Sequence, residues 1–272
     1  MGKKSVYDQK GTRSLKTLFL YMALVFLLIL ISFSIKAFFV FQKSLFDGRN
    51  HFTVAVVTEG KVAEVVSFHP RIPSLALVKI AHGLPTSSLG ETLAVAPDAF
   101  IQTKGNIPIG DDVTGTMMAT AWQFATVHTD MTVIDVIRLS LLSKNIQEEN
   151  KIVKEITLPT QENDIDKVIA SFFGDEAIAS GNVSIRILNA SDIPGIGRRL
   201  ERVLNNLGCN VIGVSNATSQ EQKSKIEYAG EETYIVKKLK RVLKLPASQL
   251  QTGNAGDIVI TVGEDSKKTK SF

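Results

Sequence analysis

Residues 183–199 read VSIRILNASDIPGIGRR. An apolar alternation ends in Asn-Ala-Ser, a turn carrying Gly195 and Gly197 follows, and an amphipathic helical pattern begins. Phosphate-binding loops are built in this order, because the free N–H groups of a helix N-terminus can hold an anion. The dinucleotide fingerprint needs another glycine three residues on, and a P-loop needs Gly-Lys-Ser/Thr. Leu200 stands at the first position and the second motif is absent. The glycines therefore point to a turn. In it Asn189 and Ser191 bond nearby backbone, Ser191 or Asp192 caps the helix, and Pro194 suits its first turn. Arg198 and Arg199 sit at the end where the helix dipole disfavours cations, with Arg202 one turn further. Guanidinium groups beside free N–H groups would suit a phosphate or a carboxylate-bearing glycan. Arg198, Arg199 and Arg202 are thus the candidate anion-binding residues, and a solvated basic face is the alternative.

No other residue set assembles a catalytic constellation. Asp111-Asp112 and Glu148-Glu149 are adjacent pairs, whose carboxylates point apart and are expected in solvent rather than on a metal. His51, His69, His82 and His128 show no ligand spacing, and no serine sits in a Gly-x-Ser-x-Gly elbow. Cys209 is the one cysteine, so neither an intramolecular disulfide nor a cysteine-based metal site can form. It follows a glycine and precedes an apolar run, which predicts a small buried hydrophobe. No cofactor and no metal is expected, and the chain reads as a non-enzyme.

The elements that must position these residues fall into three parts. From Leu18 to Ile35 there is no charge over 18 positions. They rise about 27 Å as a helix, close to the thickness of a bilayer's hydrocarbon core. Lys36 interrupts a further apolar run and can snorkel. Lys3, Lys4, Lys10, Arg13 and Lys16 precede the segment, against Asp8 alone. The positive-inside bias then places the N-terminus in the cytoplasm and the chain from about residue 42 outside. The long apolar core and the lack of a small-x-small site favour an uncleaved signal anchor over a signal peptide.

The charge changes along the chain: +6 over residues 1–50, −7 over 51–182 and +4 over 183–263. An acidic middle and a basic C-terminal part suggest separate units. In the middle, FTVAVV (52–57), VAEVVSF (62–68) and LALVKI (75–80) have strand character, and the short turns between them imply antiparallel pairing. Residues 84–112 are irregular. Residues 113–127 form a helix with Met117, Ala121, Trp122 and Phe124 inward, and 132–142 another. The polar stretch 143–164, with one apolar alternation at 152–158, fits a connector. A helix capped by Asp164 follows, with Ile165, Val168, Ile169, Phe172 and Phe173 apolar.

The C-terminal part carries the clearest pattern. VSIRILN (183–189), CNVIGVSN (209–216), SKIEYA (224–229) and DIVITVG (257–263) are strands, and 196–208 and 231–245 are helices with one apolar stripe each. The order β-α-β-β-α-β implies a two-layer sandwich, with a split βαβ arrangement.

The middle of the chain resembles the first part of the LytR-CpsA-Psr family, membrane-anchored enzymes that transfer glycopolymers from a lipid pyrophosphate carrier to the bacterial cell wall. HFTVAVV, EVVSFHP and LALVKIAHGLPT stand where that family has a strand, a strand ending in Asp-Pro and a strand running into Ser-Ile-Pro-Arg-Asp. His82 and Gly83 replace its Arg-Asp pair. Between 81 and 150 Arg138 is the only arginine, so the guanidinium groups that grip pyrophosphate have no counterpart. The C-terminal part closely resembles the LytR C-terminal domain, through ILNASDIPGIGRRLERVLNNLGCNVIGVSNA, SKIEYAG and DIVITVGED. That resemblance implies a place in the cell envelope rather than a reaction.

The expected class is α+β, in six segments. These are a basic tail (1–16), a transmembrane signal anchor (17–41), a degenerate LytR-CpsA-Psr-like extracytoplasmic domain (50–143), a linker and connecting helix (144–180), a LytR C-terminal-like βαββαβ domain (181–265) and a tail (266–272). The expected function is a non-catalytic binding or scaffolding module in the cell membrane. Its expected partners are the bilayer, cell-wall glycan or an anionic envelope polymer, and envelope proteins, with no nucleic acid. The alternative is a divergent glycopolymer phosphotransferase.

Overall fold

Alternation within residues 52–57 sends Phe52, Val54 and Val56 to one side and Ala55 and Val57 to the other, and both sides are buried. A strand buried on both faces needs a layer of helices above and below it. The computed structural model of the chain supplies both layers. It describes residues 8–103, 112–157, 162–250 and 257–268; Lys3, Lys4 and Asp111, named above, and the last residue of the 152–158 alternation lie outside these. The chain divides into two units, 1–44 and 45–272.

The first unit holds one helix, α1 (Asp8–Gln42). Its segment Leu18–Gln42 has a mean hydropathy of 2.8 and is long and apolar enough to cross a membrane.

The second unit is built on two mixed sheets. In the first, β1 (Phe52–Thr58), β2 (Lys61–His69) and β3 (Ser74–Pro85) pair antiparallel as expected, with Val54 opposite Val66 and Val65 opposite Val78. The irregular stretch after them hides a short helix, α2 (Leu89–Leu93), and β4 (Ala99–Thr103), which pairs parallel with β1. The two-residue β5 (His128–Thr129) extends that edge. The connector proves partly structured. β6 (Lys151–Ile156) adds to β3 in parallel, so the apolar alternation there marks an edge strand, and Lys151 and Lys154 sit on it. Edge strands carry such lysines commonly. The strand order is β5-β4-β1-β2-β3-β6.

One face of this sheet is covered by α3 (Val113–Trp122) and α4 (Val133–Asn145), through Val113, Met117, Val136 and Leu139. Helix α3 is shorter than expected and ends at Trp122, which is 94% exposed rather than inward; Met117 reaches the core, and the partly buried Ala121 and Phe124 pack against it as expected. Helix α5 (Glu162–Phe173) covers the other face with α2, through Ile165, Ile169 and Phe173, and begins before Asp164. A single turn, α6 (Glu176–Ala179), is capped by Asp175 and leads on.

The second sheet contains β7 (Ser184–Asn189), β8 (Asn210–Asn216), β9 (Lys225–Tyr228), β10 (Ala247–Gln249) and β11 (Ile258–Val262). Helices α7 (Ile196–Asn206) and α8 (Tyr234–Leu243) share one apolar cluster with Ile185, Ile187, Ile226 and Ile260. The stripe Ile196, Leu200, Val203, Leu204 and Leu207 is buried as its spacing requires. The topology differs from a split βαβ. The order is β10-β9-β11-β7-β8, so β7 and β8 are parallel neighbours with no strand between them. The unforeseen β10 fills the edge beside β9 in parallel.

Candidate functional site

Two aspartates, a lysine and an arginine meet in the interior where α8 faces the first sheet. Lys238 and Asp98 have fully buried side chains, and Lys238 Nζ donates to Asp98 Oδ2 at 2.7 Å and to the His51 carbonyl at 2.9 Å. Asp98 Oδ1 accepts from Arg241 at 2.6 and 2.8 Å. Arg241 also donates to the Leu45 carbonyl at 2.9 Å and lies over the Phe52 ring. Asp175 Oδ2 accepts from the Tyr234 hydroxyl at 2.6 Å and stands 3.7 Å from Lys238. Burial and the Asp175 charge push the Tyr234 hydroxyl's pKa upward. Two cations face two anions, so the cluster is balanced, as buried charge must be.

The histidines adjoin it. His69 Nε2 lies 2.9 Å from the Phe172 carbonyl, which can only accept, so that nitrogen carries a proton. Ser67 Oγ is 2.9 Å from His69 Nε2 and 2.6 Å from His51 Nε2. His51 Nδ1 is buried without a partner among the described residues. Burial, then the Lys238 charge, hold the His51 pKa well below the usual histidine value. A serine between two histidines has the atoms of a nucleophile and a base, but Ser67 is 0% exposed. The group joins β2 to α5 through the Phe172 carbonyl and serves as a polar joint.

Sequence reasoning missed this joint. A signal was present: Lys238 falls on the apolar stripe of α8, among Ile235, Val236, Leu239 and Val242, where a lysine demands a buried partner.

The loop after β7 is accessible. Asn189 Oδ1 accepts from Ser191 N and Oγ at 3.0 and 2.8 Å, as the turn chemistry predicted. The helix cap differs: Gly195 is the N-cap, at φ +77, and no side chain caps α7. Ser191 is occupied within the turn, and Asp192 is bonded to Lys267 at 2.8 Å. At Gly197 a Cβ would stand 2.7 Å from a Val214 methyl, so this glycine permits close packing of α7 on β8. The opening motif is thus a packing device around a turn.

A groove of about 590 Å³ lies at the carboxyl ends of β7 and β8. Asn189, Ser191, Asn216, Thr218, Ser219 and Gln220 line it. Lys267 stands nearby between Asp192 and Glu264, at 2.8 and 2.7 Å, and pairs with both. Those two bonds push the Lys267 pKa up to about 12. The carboxyl end of parallel strands is where open α/β sheets place ligands.

The candidate arginines take separate paths. Arg198 is exposed. Arg199 stands 3.4 Å from Glu91. Arg202 donates to Asp166 at 2.7 and 2.8 Å and to the Glu91 and Thr92 carbonyls. Arg202 therefore ties α7 to α5 and α2. Cys209 is 7% exposed, and burial pushes its thiol pKa up to about 12. Asp112 caps α3 and Glu148 pairs with Lys151.

A second groove, about 650 Å³, opens where β1 and β4 end, with Phe100, Gln102, His128 and Asp130 in its walls. Lys244 reaches Asp130 at 3.2 Å and lies over the Phe100 ring. No arginine lines it among the described residues.

Residues 182–265 match the family described as LytR cell envelope-related transcriptional attenuator, through its C-terminal domain model. The match covers β7 to β11 and the groove between Asn189 and Gln220, and does not extend to the first sheet. No curated protein and no solved structure matches the chain.

Proposed function

We propose that this chain, whose residues 182–265 are a LytR C-terminal domain, is a membrane-anchored, non-catalytic cell-envelope protein that recognises glycan outside the cell. The anchor is the apolar segment Leu18–Gln42 of α1, with the lysines and arginine before that segment left in the cytoplasm. The observation that carries the binding role is the groove at the ends of β7 and β8. Its walls carry amides and hydroxyls, which exchange donors and acceptors with sugar hydroxyls, beside the apolar Ile193 and Pro194, and its one carboxylate, Asp192, is already paired with Lys267. The non-catalytic reading draws on the groove where β1 and β4 end, which no arginine lines among the described residues, whereas holding a pyrophosphate calls for guanidinium groups.

Cosedimentation of the full chain with purified cell walls tests this. Asn216→Ala with Gln220→Ala, both exposed, is expected to weaken binding about tenfold, the loss of one or two polar contacts. Unchanged binding would discard the groove. Loss on Arg198→Ala with Arg199→Ala instead would assign an anionic polymer. Arg202 is left intact because its loss would disturb the contact with α5. Protease added outside cells is expected to digest residues 45–272; protection of that part in an accessible envelope would overturn the orientation.

A further inference from the structure

Helices α3 and α4 each carry a second apolar stripe that faces nothing among the described residues. Met118 and Trp122 on α3, and Val133, Ile137 and Leu141 on α4, are exposed, while Met117, Val136 and Leu139 serve the core. The i,i+4 spacing sets each group on one helix side. Met118 Sδ lies 3.5 Å from Ser140 Oγ, which brings the two groups together. Neither helix exposes an acidic side chain, since Asp135 is buried, and Lys144 is exposed at the end of α4.

The chain's own length ties α4 to the end of the apolar helix. Phe46 N–H donates to Asp135 Oδ1 at 2.9 Å, and Arg138 donates to the Phe46 carbonyl at 3.0 Å. The start of α4 thus grips the chain four residues after Gln42, the last residue of the apolar helix. Four residues span at most ~14 Å. We propose that the face formed by Met118, Trp122, Val133, Ile137 and Leu141 rests on the bilayer surface that α1 enters. Tryptophan favours that boundary because its ring is apolar and its N–H finds headgroup acceptors. Lys144 would meet anionic headgroups. The proposal rests on α1 being a membrane anchor.

Trp122 is the only tryptophan of the chain, so its emission reports on this face alone. The full chain is placed in vesicles of phosphatidylcholine and phosphatidylglycerol, and in the same vesicles with brominated acyl chains. The expected result is blue-shifted emission that brominated lipid quenches and iodide does not. Ile137→Asp with Leu141→Asp should return it to the emission of a tryptophan in water. Equal melting temperatures confirm that this variant is folded, and Leu141→Ser alone serves if it is not. Emission quenched by iodide and untouched by brominated lipid overturns the docking. Blue-shifted emission insensitive to brominated lipid and lost on diluting chains among vesicles assigns the face to a second copy, and also overturns it. Flotation separates the two readings. A chain that floats with a solvated Trp122 loses the docking alone, and one that does not float loses the anchor and the docking together.

Discussion

At the scale of single residues, Asp98 is the centre of the molecule's polar interior. Its carboxylate takes Lys238, Arg241 and the Thr53 amide together, with the Thr53 contact at 2.8 Å. Removing it leaves two cations in a site built for charge pairs. Asp98→Ala is therefore expected to cost about 3–5 kcal/mol, seen as a large fall in melting temperature. A loss below about 1 kcal/mol would mean that water compensates the pair. His51 makes the interior sensitive to pH. Its pKa is depressed by burial and by Lys238, so the folded protein keeps it neutral where the unfolded chain takes up a proton. Below about pH 6.5 the unfolded state binds more protons, and stability falls as pH falls, by about 1.4 kcal/mol per unit for one group. The carboxylates with lowered pKa, Asp47, Asp192, Glu232 and Asp257, keep their contribution down to their ordinary values near pH 4 and lose it below that, as pH falls through their lowered folded values. Between pH 6.5 and about 5, His51→Gln should flatten the slope of melting temperature against pH. An unchanged slope would place the titrating group elsewhere.

At the scale of elements, α4 joins the start of the second unit to the sheet. Thr132 and Asp135 form a capping box, and Asp135 also holds the Phe46 amide. Thr132→Ala removes a cap and is expected to cost about 1 kcal/mol. Asp135→Ala also leaves a buried donor unpaired and should cost more, by a further ~1–3 kcal/mol. Thermal melting of the two variants checks the order, and equal losses would show that the Phe46 bond contributes nothing. Much of this layer was legible in the sequence. The antiparallel triplet of β1, β2 and β3 follows from Val-rich runs with short turns, and the stripe of α7 from its helical spacing. Three features were not legible. β4 lies in a stretch dense in glycine and proline, and it is held by pairing with β1, which no local pattern reveals. β6 looked like a connector because an edge strand needs little apolar surface. Trp122 looked like core because residue type was read without knowing which side of α3 the sheet covers. For the candidate site, the turn chemistry of Asn189 and Ser191 was readable. The groove beside it was not, because Asn216 to Gln220 come from a strand end brought there by parallel pairing of β8 with β7.

At the scale of the whole molecule, the matched segment is not self-contained. Ala94, Ala96 and Ile178 lie in the same apolar cluster as α7 and α8. Arg202 leaves the matched residues to reach Asp166, and Lys238 and Arg241 leave them to reach Asp98. The net charges of −7 over residues 51–182 and +4 over 183–263 now have a structural meaning, since opposite charges meet across this contact. It follows that residues 182–268 expressed alone would expose apolar surface and free these cations. The fragment is expected to melt below the full chain. A sharper consequence concerns Lys238→Met. In the full chain this substitution leaves Asp98 short of one cation and should cost about 3–5 kcal/mol. In the fragment Lys238 has neither Asp98 nor Asp175 to face, and the same change should move stability by no more than about 0.5 kcal/mol, as surface substitutions do. Equal effects in the two contexts would mean that the lysine acts within its own helix and that the two sheets are coupled by apolar packing alone. A large effect confined to the full chain would make the ionic contact the joint that couples the first sheet to the helices beside the groove at the ends of β7 and β8.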